Sequence, residues 1–387
     1  MNPKNKLRVA LVVPHIFLHR DILPNVIFSP GKLALELANN LSNNNVDVTL
    51  FSPGPVEVCV PNVNADLSYF EAELALRGDT YLDLLKKHPF IFVSLARQVQ
   101  SEIIASAYAA ANNDEFDIVH IYTNEEDIAL PFAKLCNKPV VFTHHDPFNF
   151  YIKYKNNFPK YKDLNWISFS LAQRLGMPEN SHWVANIYHG LNASNFKIIS
   201  QPENNYIAYL GRIIEPKGVN LAISAVREYN KTADKPIKLK IAGKHYSDED
   251  KDNYWKTKIE CELDEIIEYV GFIKNNKEKN IFLGNAKALI IPSIFDEPFG
   301  MVMIESLACG TPIIGLSSGA IPEIVNVDNG ILVDKSENIE DTIINLSKAI
   351  NDIKNINRLN CRKDFENRFS LEIMCQNYAN TYRNLIE

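Results

Sequence analysis

The sequence predicts an α/β protein of two Rossmann-like domains that face each other across a cleft. Short buried apolar runs alternate with helical patterns, which is typical of parallel sheets with helices on both faces. The alternation runs up to about residue 190 and starts again after residue 200. The length of 387 residues also favours two domains. Ligands of such sheets bind beyond the carboxyl ends of the strands, so functional residues are expected there.

The first half contains apolar runs that predict five strands, and one clear helix. The strands are predicted at 8–14, 46–52, 116–122, 139–145 and 182–189. A helix over 30–40 follows the first strand, because Leu33, Leu37 and Leu41 recur on one face. Ser29 suits the N-cap and Pro30 the first helical position.

The second half repeats the pattern with six predicted strands. They are 206–210, 237–242, 267–271, 288–292, 312–315 and 330–334. A polar stretch near 191–205 is the predicted linker. The N-terminal domain is therefore predicted at 1–195, completed by a C-terminal helix at 371–387, and the C-terminal domain at 196–370.

Composition excludes several classes of protein. The net charge of −7 is spread evenly over the chain, so neither domain is basic enough for nucleic acid to be an expected partner. The six cysteines show no paired spacing, which favours reduced thiols over a disulfide framework or a zinc site. The sequence has no signal-peptide pattern and no apolar run long enough to span a bilayer. We therefore expect a cytoplasmic protein, with peripheral contact at the inner membrane face left open.

The most informative stretch runs from Glu297 to Pro312 and carries two carboxylates, Glu297 and Glu305, eight positions apart. Pro298 suits the first turn of a helix, whose free amides bind anions. On a helix, eight positions span roughly 12 Å. A glycosidase acid/base pair lies about 5–9.5 Å apart, so that role does not fit. The spacing suits one long ligand with phosphate in its middle, such as a nucleotide sugar.

Further motifs follow in a fixed order. They are Tyr209–Gly218, Cys309–Gly315 and Gly319–Val325. Together with the two glutamates, this set resembles the retaining glycosyltransferases of family 4 (group 1), which have the GT-B fold. The resemblance covers nearly all of the second half and is thinner in the first. The final helical stretch resembles the helix with which that family returns to its N-terminal domain.

The resemblance implies roles for the acids and cations of the second half. Glu305 would accept hydrogen bonds from the nucleoside ribose, and Glu297 would contact hydroxyls of the donor sugar. Arg212 and Lys217 would clamp the diphosphate, with Gly211 in the turn that carries Arg212. Such cations stabilise the charge that develops on a leaving nucleoside diphosphate.

Backbone contacts and the N-terminal half complete the implied site. Amides around Phe299, Gly300 and Met301 would hold sugar or phosphate. The main chain of 270–273, with Val270 and Phe272, would contact the base. A histidine would approach the donor sugar, with His144 preferred over His145. Gly31 stands where the family often has a Gly-Gly pair.

The implied activity is metal-independent transfer of a hexose, with retention, to a sugar, a lipid-linked or another hydroxyl acceptor. A UDP-sugar is the favoured donor and GDP-mannose the second; no cofactor is expected. The acidic triplets within 248–252 are interpreted as a solvated helix rather than a metal site. A GT-B-fold phosphorylase, a nucleotide-sugar epimerase and a non-catalytic sugar-nucleotide binding protein remain alternatives.

One segment, 148–162, holds four lysines and six aromatic residues without an acid. Such a segment fits a surface that binds an anionic acceptor, a lipid-linked acceptor or a membrane. It equally fits an exposed loop and helix that only cover the core.

Overall fold

The computed structural model describes residues 6–26, 28–199, 201–245 and 253–387. The chain divides into two units. Unit 1 holds residues 1–169, 173–189 and 374–387, and unit 2 holds 170–172 and 190–373. Within unit 2, Leu191 pairs with the residues before the last helix: its amide donates to Phe369 O and its carbonyl accepts from Leu371 N, both at 2.9 Å. Apart from residues 170–172, the chain changes unit at 189/190 and 373/374. The predicted domain bounds stay a prediction.

Unit 1 contains a parallel sheet of seven strands in the order β3-β2-β1-β4-β5-β6-β7. The strands are β1 (Leu7–Val12), β2 (Val46–Ser52), β3 (Asn62–Asn64), β4 (Ile118–Tyr122), β5 (Val140–Thr143), β6 (Asn165–Ser168) and β7 (Trp183–Asn186). All five predicted strands are present. The sequence did not predict β3 and β6, which are short.

The helices of unit 1 are α1 (Ser29–Asn40), α2 (Ser68–Arg77), α3 (Tyr81–Lys87), α4 (Pro89–Asn112), α5 (Ile152–Asn157) and, at the C-terminus, α12 (Leu371–Ile386), which begins in unit 2. The prediction of Ser29 as N-cap is wrong by one residue. Phe28, with φ −130° and ψ 78°, is the last residue before the helix. Ser29 therefore opens α1 and Pro30 follows in its first turn.

A buried hydrogen-bonded histidine joins α12 to the sheet of unit 1. His120 on β4 contacts the Tyr382 hydroxyl through Nδ1 at 2.7 Å and the Thr143 hydroxyl through Nε2 at 2.8 Å. Burial lowers the pKa of His120 to about 3, so the ring is neutral at physiological pH. Both of its nitrogens have partners, as a buried imidazole requires.

Unit 2 contains a second parallel sheet, of six strands in the order β10-β9-β8-β11-β12-β13. The strands are β8 (Tyr206–Leu210), β9 (Lys238–Ala242), β10 (Ile267–Gly271), β11 (Ala288–Ile291), β12 (Ile313–Leu316) and β13 (Gly330–Val333). The helices are α6 (Val219–Asn230), α7 (Asn276–Gly284), α8 (Met301–Ala308), α9 (Ile321–Ile324), α10 (Ile339–Asp352) and α11 (Arg358–Arg368). The two parallel sheets with their helices confirm the predicted fold class of two Rossmann-like domains.

The strand order of unit 2 indicates where a ligand would bind. The chain builds outward from β8 through β9 to β10 and then returns to the other side of β8 with β11. The point between β8 and β11 is a topological switch point, where loops leave the sheet in opposite directions and open a crevice. The loops after β8 and β11 are those that carry Lys217 and Glu297.

The acidic triplets within 248–252 lie outside the described residues. Across the described ranges, no group of three or more His, Cys, Asp or Glu residues has the arrangement of a metal site. Likewise, no helix among the described residues is long and apolar enough to cross a membrane.

Candidate active site in unit 2

Three glycines bring the carboxyl ends of β8, β9 and β10 into backbone contact. The Gly211 amide donates to Ala242 O (3.1 Å), and the Gly243 amide donates to Gly271 O (2.9 Å). A Cβ on Gly243 would lie 1.8 Å from Gly211 O, so no side chain fits there. This edge of the sheet is therefore lined by main chain, which permits close approach of a ligand. Arg212 follows Gly211 directly and is exposed at the same edge.

Lys217 and Glu297 meet at the switch point. Lys217 Nζ donates to Glu297 Oε2 at 2.5 Å, and the two side chains are only 16% and 10% exposed. The ammonium also lies 4.7 Å from the centroid of the Phe295 ring. Ser293 Oγ donates to the same carboxylate oxygen at 3.3 Å. Two of the three ammonium hydrogens of Lys217 remain for other acceptors.

The turn after Lys217 packs tightly against the loop that follows β11. Gly218 has φ +66°, and a Cβ there would lie 2.1 Å from Pro292 O. Glycine at this position lets the β8 loop approach the β11 loop closely enough for Lys217 to reach Glu297.

Gly319 and Ala320, after β12, hold the backbone of Glu297. The Ala320 amide donates to Glu297 O at 2.7 Å. Gly319 has φ +54°, and a Cβ there would lie 2.3 Å from Glu297 N. Sequence analysis placed Gly319 in a motif but did not assign it this contact.

Helix α8 begins later than the sequence predicted. Its first residue is Met301 and its N-cap is Gly300, at φ +91°. Because a left-handed residue ends helical geometry, Pro298 lies outside the helix and its predicted place in the first turn is wrong. Glu297 therefore lies on a loop and only Glu305 lies on the helix, so the helical estimate of their separation does not apply. Phe299 is buried and packs edge-on to Phe369.

Glu305 is a buried carboxylate on α8, paired with Lys279 of α7. Lys279 Nζ donates to Glu305 Oε1 at 2.5 Å, and the carboxylate side chain is 9% exposed. The other oxygen, Oε2, is buried without a hydrogen-bond partner among the described residues. Burial raises the pKa of Glu305, while the charge and hydrogen bond of Lys279 oppose the rise. Lys279 stands in no motif, and the sequence offered no signal for this pair.

Val270 and Phe272, predicted beside the base, are both exposed near the carboxyl end of β10. Their exposed fractions are 45% and 43%. Lys244 Nζ lies 4.5 Å from the centroid of the Phe272 ring. An exposed ring at this sheet edge offers a flat apolar face to a ligand.

The predicted residues of the N-terminal half lie in unit 1. Gly31 is buried in the first turn of α1, where a Cβ would meet the Phe28 ring at 2.5 Å. His144 is fully buried, and its ring lies 4.7 to 5.0 Å from those of Phe148, Tyr154 and Phe158.

The neighbouring His145 has different surroundings. Its ring lies 4.5 Å from Tyr122 and stacks on His189 at 5.2 Å, with an interplanar angle of 3°. Burial lowers the pKa of His145 well below its usual value. His144 is enclosed by aromatic rings and His145 stacks on His189, and which of them contacts the donor stays a prediction.

Comparison with known proteins gives the family. The model for glycosyl transferases group 1 matches residues 192–367, and the model for glycosyltransferase family 4 matches residues 31–186. The chain belongs to the group 1, family 4-like glycosyltransferases. This confirms the predicted family of glycosyltransferases.

Individual relatives of this glycosyltransferase are distant. An uncharacterized glycosyltransferase of Methanocaldococcus jannaschii is 26% identical over 190 residues, which cover 48% of this chain and 47% of that relative, so the chain spans about half its length. A phosphatidyl-myo-inositol mannosyltransferase of Propionibacterium freudenreichii is 22% identical, and the match covers 84% of this chain and 81% of that enzyme.

Solved structures agree on the fold of the glycosyltransferase. Sucrose-phosphate synthase from Thermosynechococcus elongatus aligns with a TM-score of 0.70 at 17% identity, covering 98% of this chain and 99% of that one. HepE from Anabaena, solved with UDP-glucose, aligns with a TM-score of 0.64 at 16% identity, covering 97% of this chain and all of that one. At such identities the likeness shows the fold, and it confirms the predicted GT-B fold. The roles of single site residues stay predictions.

Proposed function

We propose that this glycosyltransferase transfers a hexose from a nucleotide-diphosphate sugar to a hydroxyl acceptor, with retention and without a metal. The observation that carries the proposal is the ion pair of Lys217 and Glu297 at the switch point of unit 2. The pair brings together a carboxylate, a group that accepts hydrogen bonds from sugar hydroxyls, and a cation, a group that pairs with phosphate. A UDP-sugar is the favoured donor, since HepE was solved with UDP-glucose. GDP-mannose is the second choice.

The cations of the site stabilise the negative charge that develops during the reaction. As the bond between the anomeric carbon and the phosphate oxygen breaks, negative charge grows on the leaving diphosphate. Lys217 has ammonium hydrogens left over after binding Glu297, and Arg212 adds a planar fork. The amides at the start of α8 add further donors. Fixed donors in a partly buried site stabilise such charge strongly.

The acceptor chemistry follows from retention. The acceptor hydroxyl attacks the anomeric carbon from the face that the diphosphate leaves, and a phosphate oxygen takes the hydroxyl proton. One carbon–oxygen bond breaks and one forms, with no covalent enzyme intermediate. No protein nucleophile is then required.

The proposal is tested by donor binding followed by turnover. A thermal-shift panel of UDP-, GDP- and ADP-sugars should raise the unfolding temperature for one nucleotide class, since a bound ligand stabilises the folded state. NMR of the product of that donor should show an unchanged anomeric configuration. Release of sugar that requires inorganic phosphate would indicate a phosphorylase instead. Binding without turnover on any acceptor would favour a non-catalytic binding protein.

We expect activity to survive removal of divalent metal. The charge on the leaving diphosphate is met by Arg212 and Lys217, so an excess of EDTA should leave the initial rate of nucleotide release unchanged. The control is the same assay with added Mg²⁺, which should not raise the rate. A rate that falls with EDTA and returns with Mg²⁺ would contradict metal independence.

The segment 148–162 combines a core part and an exposed part. Phe148, Tyr154 and Phe158 are buried in the core of unit 1. Three consecutive residues, Phe150, Tyr151 and Ile152, are 59%, 54% and 80% exposed. Lysines 155 and 160 of the same segment are exposed as well. Apolar side chains next to cations fit an anionic membrane surface, and we propose that this edge meets the membrane that carries a lipid-linked acceptor.

Replacing Lys155 and Lys160 by Ser together with Ile152 by Ser should weaken binding to vesicles containing anionic phospholipid. Lys153 is left intact because it pairs with the buried carboxylate of Asp127 at 2.6 Å. Co-sedimentation with such vesicles measures the effect. A double Ser replacement of the exposed Lys235 and Lys348 in unit 2 is the charge control. Equal sedimentation of all three proteins would remove this edge as a membrane site.

A further inference from the structure

Glu305 is a carboxylate on a largely buried helix. Its neighbours on α8, Ile304, Leu307 and Ala308, are fully buried. A buried carboxylate is strongly disfavoured as an anion unless it is paired and hydrogen-bonded. Lys279 satisfies Oε1, and Oε2 is an acceptor that the described residues leave unused.

Lys279 is held in place by the helix that carries it. The Asn275 side chain caps α7 by accepting from the Glu278 amide at 2.9 Å. Next to Lys279, Asn280 Oδ1 accepts from the Lys197 amide at 2.5 Å and from Cys309 Sγ, on the residue after α8, at 3.7 Å. These contacts anchor α7 on both sides of Lys279, whose side chain is only 22% exposed beside Glu305.

We propose that Lys279 is a positioning residue for the donor: it keeps Glu305 as an oriented anion, with one oxygen occupied and the other available to a vicinal pair of hydroxyl groups such as a ribose carries. The inference rests on the proposed function together with the predicted contact of Glu305 with the ribose of the nucleotide. Anionic acceptors form stronger hydrogen bonds with hydroxyl groups than neutral ones do.

The charges around Glu305 define how the pair responds to pH. Lys279 on α7 is the cation that faces it. Cys309, at the end of its own helix, is a thiol whose pKa burial raises to about 12, so it stays neutral. Arg358 and Arg362 of α11 lie near that thiol. Burial raises the pKa of Glu305 and Lys279 opposes the rise, so removal of Lys279 should shift the protonation of Glu305 towards neutral pH.

The test is the affinity for UDP and for GDP, measured by calorimetry over roughly pH 5.5 to 8.5, above the usual pKa of a Glu side chain. Wild type should bind one of the two with little dependence on pH. Lys279→Met should bind about tenfold more weakly at the acidic end and recover as the pH rises, since the neutral acid is a weaker acceptor. Lys279→Arg should restore wild-type binding. Lys277→Met, on the exposed side of the same helix, is the matched control and should change nothing.

A double variant separates Lys279 from Glu305. Lys279→Met combined with Glu305→Gln should bind like Glu305→Gln alone, because a neutral residue at 305 needs no cation. The double variant leaves no buried carboxylate unpaired. If Lys279→Met unfolds while the double variant folds, the need of Glu305 for a cation is shown, which also supports the proposal.

Other outcomes would contradict either the proposed function or the role of Lys279. If Glu305→Gln binds nucleotide as wild type does, Glu305 does not contact the ribose and this inference fails while the proposed function stands. If wild type binds none of UDP, GDP and ADP, the proposed function fails and this inference with it. If Glu305→Gln weakens binding while a folded Lys279→Met protein binds like wild type at every pH, the role of Lys279 falls and the proposed function stands.

Discussion

Lys217→Met is expected to lower kcat about a hundredfold or more, the usual loss when one donor to a developing anion is removed. The ammonium lies at the switch point of unit 2, 2.5 Å from Glu297, with hydrogens free for phosphate. In the proposed reaction, Lys217 contacts the diphosphate more strongly as the sugar leaves, so turnover should suffer more than donor affinity. The measurement is nucleotide release from the donor found by thermal shift, with KM and kcat determined separately.

The Lys217 variant leaves the Glu297 carboxylate unpaired, and a control must separate lost chemistry from lost folding. Lys217→Met combined with Glu297→Gln removes both charges and should restore stability but not turnover. Lys231→Met, an exposed lysine next to α6, is the charge control and should keep full activity. A folded Lys217→Met enzyme with the wild-type rate would remove Lys217 from the site.

The sheets were predictable from sequence because their central strands are buried on both faces. Strands β8 and β11 contain only buried residues, and a parallel sheet covered by helices requires such apolar runs. Strand β3 was not predictable because it lacks this signal: Asn62–Asn64 is polar and has no buried residue. It forms because Leu50, Phe51 and Ser52 of β2 supply an ordered partner.

The start of α8 shows where local pattern fails. Glu-Pro-Phe-Gly fits a helix that begins at Pro298, and propensity alone favours that interpretation. The chain instead places Gly300 at φ +91° and delays the helix to Met301. The Glu297 backbone is held by Ala320, a residue 23 positions later, and such a contact leaves no trace in the local sequence.

The sequence indicated the motifs that carry the candidate site residues. It did not indicate which other residues pair with them. Spacing and resemblance picked out Glu297, Glu305 and Lys217. Lys279 pairs with a residue 26 positions away on another helix, and any surface lysine has the same appearance in the sequence. Ion pairs of this kind depend on tertiary packing, which the fold must supply first.

Gly319→Ala is expected to destabilise unit 2 and to reduce activity together, because both depend on one close backbone contact. A Cβ at Gly319 would lie 2.3 Å from Glu297 N and 2.4 Å from Glu297 O, and the backbone has φ +54°. Left-handed strain costs about 1 to 2 kcal/mol, and forced displacement of packed backbone adds typically about 1 to 3 kcal/mol. The loop that carries Glu297 must move, so the ion pair with Lys217 is disturbed as well.

Gly78→Ala is the matched control for Gly319→Ala, because Gly78 has φ +67° with no atom within 4 Å of a Cβ built there. It should show only the left-handed strain, about 1 to 2 kcal/mol of unfolding free energy in denaturant titrations, with full activity. Gly319→Ala should lose clearly more stability than the control and a large part of its turnover. If the two variants lose the same stability and both keep full activity, the Glu297 loop does not depend on close contact with Gly319.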